Sequence, residues 1–343
     1  MRKLCVILLE ALFLFSPLSL LAEDRSAPPT DVIKLRMATV APEGTPWAQV
    51  VAEVGERITQ KTGGKIKIRA YMGGQLGGEV ETLEGAQLGT IHVWAGSLAA
   101  LEGMDPQFGV FDLPFLWQSD EEVYYILDHV LKEPLFRRLD ALGLKGVAWS
   151  ENGWRHFANN KKPIHTVADV REFKWRSQES RVHIAFWKAL GAPATPISIT
   201  ELFNALQMGI VDATENSLVM LSATGVWETL KYLTLSYHIY QPAVIVINKK
   251  AWEAIPEEYR KISEEEFIWA ENRVRELMRA FEPELLEAYR KKGFQINPLT
   301  PEEKAEFIRQ TAGVKEQFRD RFKDVLPLIE KSLVEYRSQK KAS

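Results

Sequence analysis

Arg176 stands in the stretch "REFKWRSQES" (Arg171 to Ser180), where Phe173 and Trp175 alternate with Lys174 and Arg176. A period of two is the pattern of a strand with one apolar face. The pattern stops after the arginine, and a helix-like pattern begins at Ser177-Gln178. A guanidinium at a strand end is a rigid fork of donors that can grip a carboxylate with two parallel bonds. The competing reading is a solvated edge charge, the common fate of an arginine on a strand. Glu79, Gly96-Ser97, Trp154-Arg155 and Asn216 also fall at or after strand patterns. In open α/β sheets, ligands sit outside the C-terminal ends of the strands. The convergence of these positions is therefore the signal, more than any one of them. Asn216 offers an amide donor to the same group and Arg155 a second positive charge, although Asn after a strand is most often a turn former. Trp94, Trp154 and Trp175 are candidate walls. Core packing is the better reading for Trp175, whose side chain opposes Arg176 along the strand.

Catalytic signatures are missing. There is no G-x-S-x-G elbow, no P-loop and no G-x-G-x-x-G fingerprint. The one cysteine, Cys5, lies in an N-terminal apolar segment, so thiol catalysis and thiolate metal sites are excluded from a chain that loses it. His92, His129, His156, His165, His183 and His238 show no tight ligand spacing and read as surface or hydrogen-bonded core residues. No cofactor and no metal are implied. "GGQLGG" (Gly73 to Gly78) reads as a turn before it reads as a phosphate cradle. The formal net charge is −3 with both signs interspersed, which argues against nucleic acid as a partner. Hydrophobic residues at 46% and charged residues at 26% fit a soluble globular protein.

The elements that must hold these residues follow from periodicity. "MRKLCVILLEALFLFSPLSLLAEDRS" has a basic start, an apolar run and a small residue before a polar stretch. It reads as a secretory signal cut after about Ala22, against an uncleaved anchor for which the run after Glu10 is short. "VIKLRMATV", "KIKIRAY" and "TIHVWAGS" are strands. Between them lie a helix capped by Thr45 with Pro46 at its first position, and a helix over about Glu79 to Leu88. This order implies parallel strands with crossover helices. Ser119 and Glu122 form a capping-box pattern for a helix to about Leu142, "KGVAW" (Lys145 to Trp149) is a strand, and a second unit begins near Gly153. Ser180 to Leu190 is helical. "AVIVIN" (Ala243 to Asn248) is a buried strand expected to return to the first sheet. From Pro256 to about Lys292 one helical pattern is long enough to lie across two domains, and Pro283 should bend it. Thr300 opens a further capped helix, and the tail "YRSQKKAS" should fray.

"GGKIKIRAYMGGQLGG", "ENGWRHFANNKKPI", "KWRSQES", "ALGAPATPISITELFNALQMGIVDATEN" and "KKAWEAIPEEYRK" occur in an order that resembles the substrate-binding proteins of TRAP (tripartite ATP-independent periplasmic) transporters, of the C4-dicarboxylate and sugar-acid type. The resemblance covers nearly all of the chain beyond the apolar N-terminus. It implies an α/β fold of two hinge-linked domains with mixed sheets and a long helix spanning both, closing on a small organic acid. The boundaries expected are 1–22 for the signal peptide, 32–152 with 242–281 for the first domain, and 153–241 with 282–330 for the second. It implies a periplasmic monomer that delivers its ligand to the membrane subunits of a sodium-coupled permease, and no enzymatic activity. Arg176 matches the family's carboxylate-clamping arginine, Asn216 the asparagine that helps hold the same carboxylate, and Arg155 a second arginine of the pocket. Glu79 and Ser97 fall where some members make ligand-specific contacts. Ile199 stands where some sugar-acid binders have an aromatic residue, which argues against a sialic-acid-like ligand. "TVAPEGTPW" resembles a branch linked to less polar ligands, so a carboxylate with an apolar or modestly polar remainder is expected. The alternatives are an exported α/β hydrolase or lyase, and a binding protein that feeds a sensor.

Overall fold

Alternation of Ile33, Leu35 and Met37 with charged neighbours makes the first strand, and local capping chemistry starts the first helix. Thr45 accepts from the Ala48 N–H, and Pro46 takes the first helical position, where a missing N–H costs nothing. The computed structural model describes residues 32–342, so the expected signal peptide lies outside the described residues. The order is β1 (Ile33–Ala38), α1 (Pro46–Lys61), β2 (Ile66–Tyr71), α2 (Glu79–Leu88), β3 (Val93–Ser97), α3 (Asp120–Tyr125), α4 (Lys132–Ala141), β4 (Leu144–Asn159) and α5 (Val167–Val170). There follow β5 (Trp175–Ser177), α6 (Arg181–Leu190), β6 (Ala194–Pro196), α7 (Leu202–Gln207), β7 (Ala213–Ser217), α8 (Leu218–Ala223), β8 (Tyr232–Asn248) and α9 (Lys249–Glu253). The chain ends with α10 (Glu257–Lys291), β9 (Gln295–Pro298), α11 (Pro301–Phe318) and α12 (Leu326–Ala342).

The strands form one mixed sheet in the order β2-β1-β3-β8-β4-β7-β5-β6, with β9 added to β8. β1 is parallel to β2 and β3, as the strand–helix order implies, and β8 returns antiparallel to β3. Four expectations change. The helix expected to run to Leu142 is broken by a π-helical stretch, Ile126–Leu131. Ser119 caps α3, but Glu122 takes the Gln118 N–H instead of closing the box on Ser119. The segment expected to fray is helical as far as Ala342.

The largest change concerns β4 and β8. Both run far beyond the short apolar cores seen in their sequences, pairing antiparallel from Leu144↔Asn248 to Asn159↔Tyr232. They are the two strands that run through the middle of the sheet, and their length comes from pairing with each other. The pairing slips between Glu151 and Gly153: Glu151 faces Pro242 and Gly153 faces Gln241, leaving Asn152 as an extra residue. This is a bulge, which bends a strand and re-aims a side chain. Gly153 adopts φ 92° there, outside the range other residues tolerate. α10 continues through Pro283. Glu266 ties it to Arg57 and Lys61 of α1, and the Tyr289 hydroxyl donates to Leu218 O at 2.9 Å at the start of α8. Replacing Gly153 by alanine should destabilise the fold by about 1–3 kcal/mol through backbone strain. Denaturant titration checks this, and an unchanged midpoint would contradict a glycine requirement at the bulge.

Candidate functional site

Trp175 and Arg176 are neighbours on β5 and so point to opposite sides of the sheet. Trp175 is core: it stacks on Trp187 at 4.3 Å and donates its indole N–H to Val170 O. Arg176 faces the other way, into a cleft of about 610 Å³ whose mouth is open to solvent. It is nonetheless only 2% exposed. Its Nε donates to Ile197 O at 2.8 Å. The two terminal nitrogens have no hydrogen-bond partner among the described residues, and no carboxylate there lies within ion-pair distance. Burial, then the nearby charge of Arg155, lowers its pKa to about 10. A buried cation without a counter-ion is costly, and an anion brought to those nitrogens would remove that cost.

Arg155 is the opposite case. Its Nε and Nη2 donate to the Glu215 carboxylate, Nη2 also to Glu215 O at 2.9 Å, and Nη1 to Asn216 Oδ1 at 3.1 Å and Gln241 Oε1 at 2.7 Å. All five donors are used. Burial would raise the Glu215 pKa, but Arg155 and His183 outweigh it and hold it well below the usual range. Arg155 is therefore no second free charge for a ligand, as its sequence position suggested. It is a strut. Asn216 Oδ1 also accepts from the Ser217 N–H at 2.9 Å and Asn152 Nδ2 at 3.3 Å. With its oxygen held by three donors, the Asn216 amide keeps its Nδ2 donor for the cleft.

Glu79 opens α2, and its carboxylate accepts from the Ser97 N–H at 2.7 Å and the Ser97 hydroxyl at 2.8 Å. Burial raises its pKa, partly offset by those bonds. Gln178 Nε2 donates to Ser97 Oγ at 3.0 Å, and Gln241 Nε2 donates to Gln178 Oε1 at 2.8 Å. A chain of hydrogen bonds thus runs from Arg155 through Gln241 and Gln178 to Ser97 and Glu79. A side chain on Gly96 would meet the Trp94 ring at 2.3 Å, so glycine lets Trp94 and Glu79 lie close to the strand.

Arg176, Asn216, Arg155, Glu79 and Ser97 thus surround one cleft, and the two candidate tryptophans do not. Trp94 is fully buried and donates to Glu79 O and Thr82 Oγ1, both at 3.2 Å. It lies three residues before Ser97, an odd spacing that puts it on the far side of β3. Trp154 precedes Arg155 and turns away likewise. It packs edge-on against Tyr237 and Tyr240, donates to Asp120 at 2.5 Å and lines a neighbouring chamber. The wall tryptophan is Trp47, joined by Val40, Ala41, Ile199, Val219, Met220 and Met278. Asn152, Gln178, Gln241 and Glu151 were missed as well. Only Gln178 carried a local signal, its place two residues beyond Arg176. Among the described residues, no group of three or more His, Cys, Asp or Glu is placed to hold a metal.

Glu151 lines both the cleft and the neighbouring chamber. Its Oε2 accepts from the Tyr124 and Tyr240 hydroxyls. Burial raises its pKa to about 7, with those two bonds opposing. The unfolded chain gives up this proton near pH 4.5 while the folded protein keeps it to about pH 7, so ionisation costs stability as pH rises through that window. Glu151→Gln cannot ionise. The stability of the parent protein relative to Glu151→Gln should therefore fall by about 2–3 kcal/mol from pH ~5 to pH ~8. Denaturant titrations across that range check this, and a pH-independent difference would contradict it.

Residues 37–321 match the family model described as bacterial extracellular solute-binding protein, family 7 (DctP). A solute-binding protein of Verminephrobacter eiseniae is 32% identical over 271 residues, 78% of this chain and 79% of that one. The C4-dicarboxylate-binding periplasmic protein DctP of Rhodobacter capsulatus is 29% identical, covering 84% and 87%. A TRAP periplasmic solute-binding protein of Sulfurospirillum deleyianum with bound succinate superposes with a TM-score of 0.83 at 25% identity, over 87% of this chain and 97% of that one. One from Desulfovibrio salexigens with bound orotic acid gives 0.83 at 28% identity, over 87% and 98%. The chain therefore belongs to family 7 of the bacterial extracellular solute-binding proteins, the TRAP periplasmic binding proteins.

Proposed function

We propose that this protein captures a small organic carboxylate in the periplasm and delivers it to the membrane subunits of a TRAP-type permease. The ligand carboxylate is held by the free nitrogens of Arg176 and by Nδ2 of Asn216. The observation that carries this reading is the buried, unpaired guanidinium beside an amide locked with its donor outward. Relatives that bind succinate and orotic acid place the same chemical class in the same fold. The apolar lining from Trp47, Val219, Met220 and Met278 suits an apolar or modestly polar body.

Capture without chemistry suits the cleft. Ser97 Oγ bonds to a carboxylate and an amide, not to an imidazole. His183 and His238 serve Glu215 in the buried floor. In our reading, residues 32–152 with 242–281 and residues 153–241 with 282–330 are two lobes that close over the ligand. Glu79 and Ser97 come from the first, Arg176 and Asn216 from the second. The turn after β2 supports this. Side chains added at Gly74 and Gly78 would meet Thr200 at 2.5 Å and Ser198 at 2.7 Å, so glycine there lets the two parts approach. Among the described residues no helix is long and apolar enough to cross a membrane, and membrane passage falls to the permease.

The test separates binding from folding. A panel of organic acids screened by thermal shift identifies a ligand, since a bound acid stabilises the folded state by mass action. Arg176→Met should then weaken its binding by about 2–4 kcal/mol, roughly 30- to 1000-fold by calorimetry. The ligand-free variant should be at least as stable as the parent, because an unpaired buried charge has been removed. Unchanged affinity would overturn the anchoring role.

A further inference from the structure

We infer that the cleft selects a monocarboxylate that carries a hydrogen-bond donor at its far end, and that Glu151 both receives that donor and turns away a second carboxylate. The inference rests on the carboxylate reading above and narrows it.

The cleft has two chemically opposite ends. Arg176 also lines a small chamber on one side, together with Glu79, Gln178 and Ile199. Glu151 lines the chamber on the other side, with Asn152, Val219 and Met278. Arg176 and Glu151 both line the cleft, and each opens onto a different flanking chamber, the two chambers sharing no lining residue. Glu151 is only 5% exposed. Two tyrosine hydroxyls, Tyr124 from α3 and Tyr240 from β8, converge on its Oε2. Its Oε1 has no partner among the described residues. A buried acceptor of this kind is as incomplete as the unpaired guanidinium at the other end, with the opposite demand. The groups beyond it reinforce the sign. Asp120 and Glu282 line the Glu151 chamber, and Arg279 is the one cation among its lining residues. Asp120 is already bound to Trp154.

A ligand that fits both ends presents one carboxylate to Arg176 and a hydroxyl or ammonium N–H to Glu151 Oε1. A second carboxylate there would face like charge in a desolvated site, a juxtaposition that weakens binding. Arg155, the other cation that lines the cleft, cannot relieve it, because Glu215 already takes its charge.

Calorimetric titration of the ligand-free protein at pH ~8 tests this with matched four- to six-carbon acids. At each length the set holds the dicarboxylate (succinate, glutarate, adipate), the ω-hydroxy acid, the ω-amino acid and the unsubstituted acid. At the length that binds best, the ω-hydroxy or ω-amino acid should bind at least about 10-fold tighter than the dicarboxylate and than the unsubstituted acid. Glu151→Gln should bring the dicarboxylate to within about 3-fold of the ω-substituted acid. A dicarboxylate that binds the parent protein as tightly as the ω-substituted acid overturns the inference and leaves the carboxylate reading standing. So does an unchanged preference in a folded Glu151→Gln. Should that variant not fold, the parent comparison decides alone. Failure of every acid to bind overturns the carboxylate reading, and this inference with it.

Discussion

One buried charge organises the molecule. Arg176 is withdrawn from water on a short strand next to the edge strand β6, spends one donor on a backbone carbonyl, and is given no counter-ion among the described residues. Proteins normally pair such a group or leave it in solvent. Sixty residues of chain separate Arg155 from Glu215, yet the fold brings them together as a fully bonded pair. The fold can therefore neutralise a buried arginine, and does so beside the one it leaves bare. On the function proposed above, the contrast between the two arginines distinguishes a ligand anchor from a structural strut.

The surroundings maintain that contrast. β4 and β8 run side by side through the centre of the sheet, and the bulge at Asn152 turns an amide toward the cleft where a regular strand would not. Asn152 then donates to Asn216 and Gln241, while Arg155 donates to the same two oxygens. Both amides are thereby fixed with their donors facing onward: Asn216 toward the ligand space, Gln241 toward Gln178. Polar networks in a low dielectric are costly when half satisfied and rigid when complete. In this one the side chains of Arg155, Asn152, Gln178 and Gln241 are each bonded at every nitrogen and oxygen, and the Asn216 Nδ2 is left open.

How much of this could be read in the sequence depends on the range of the interactions. The caps at Thr45 and Thr300 are contacts within three residues, and the structure has both of them. The alternation around Trp175 and Arg176 put the two on opposite faces, as the structure has them, and it was the strand-end position of Arg176 that pointed to a cleft. The same rule of two, applied from Ser97 to Trp94 and from Arg155 to Trp154, would have removed both tryptophans from the site. The true extent of β4 and β8 was hidden, because polar runs such as "SENG" become strand only through a partner distant in sequence. Gln241 and Asn152 could not be found for the same reason. Arg155 was located by its place at a strand pattern and by the family resemblance, but its role depends on Glu215, which no local pattern links to it.

The most direct test of the central claim is a crystal structure of the protein with its tightest-binding acid. The ligand carboxylate should take both terminal nitrogens of Arg176 in a bidentate pair at about 2.7–2.9 Å, with Asn216 Nδ2 completing its contacts. A carboxylate bound elsewhere in the cleft, with those two nitrogens still without an anion, would contradict it.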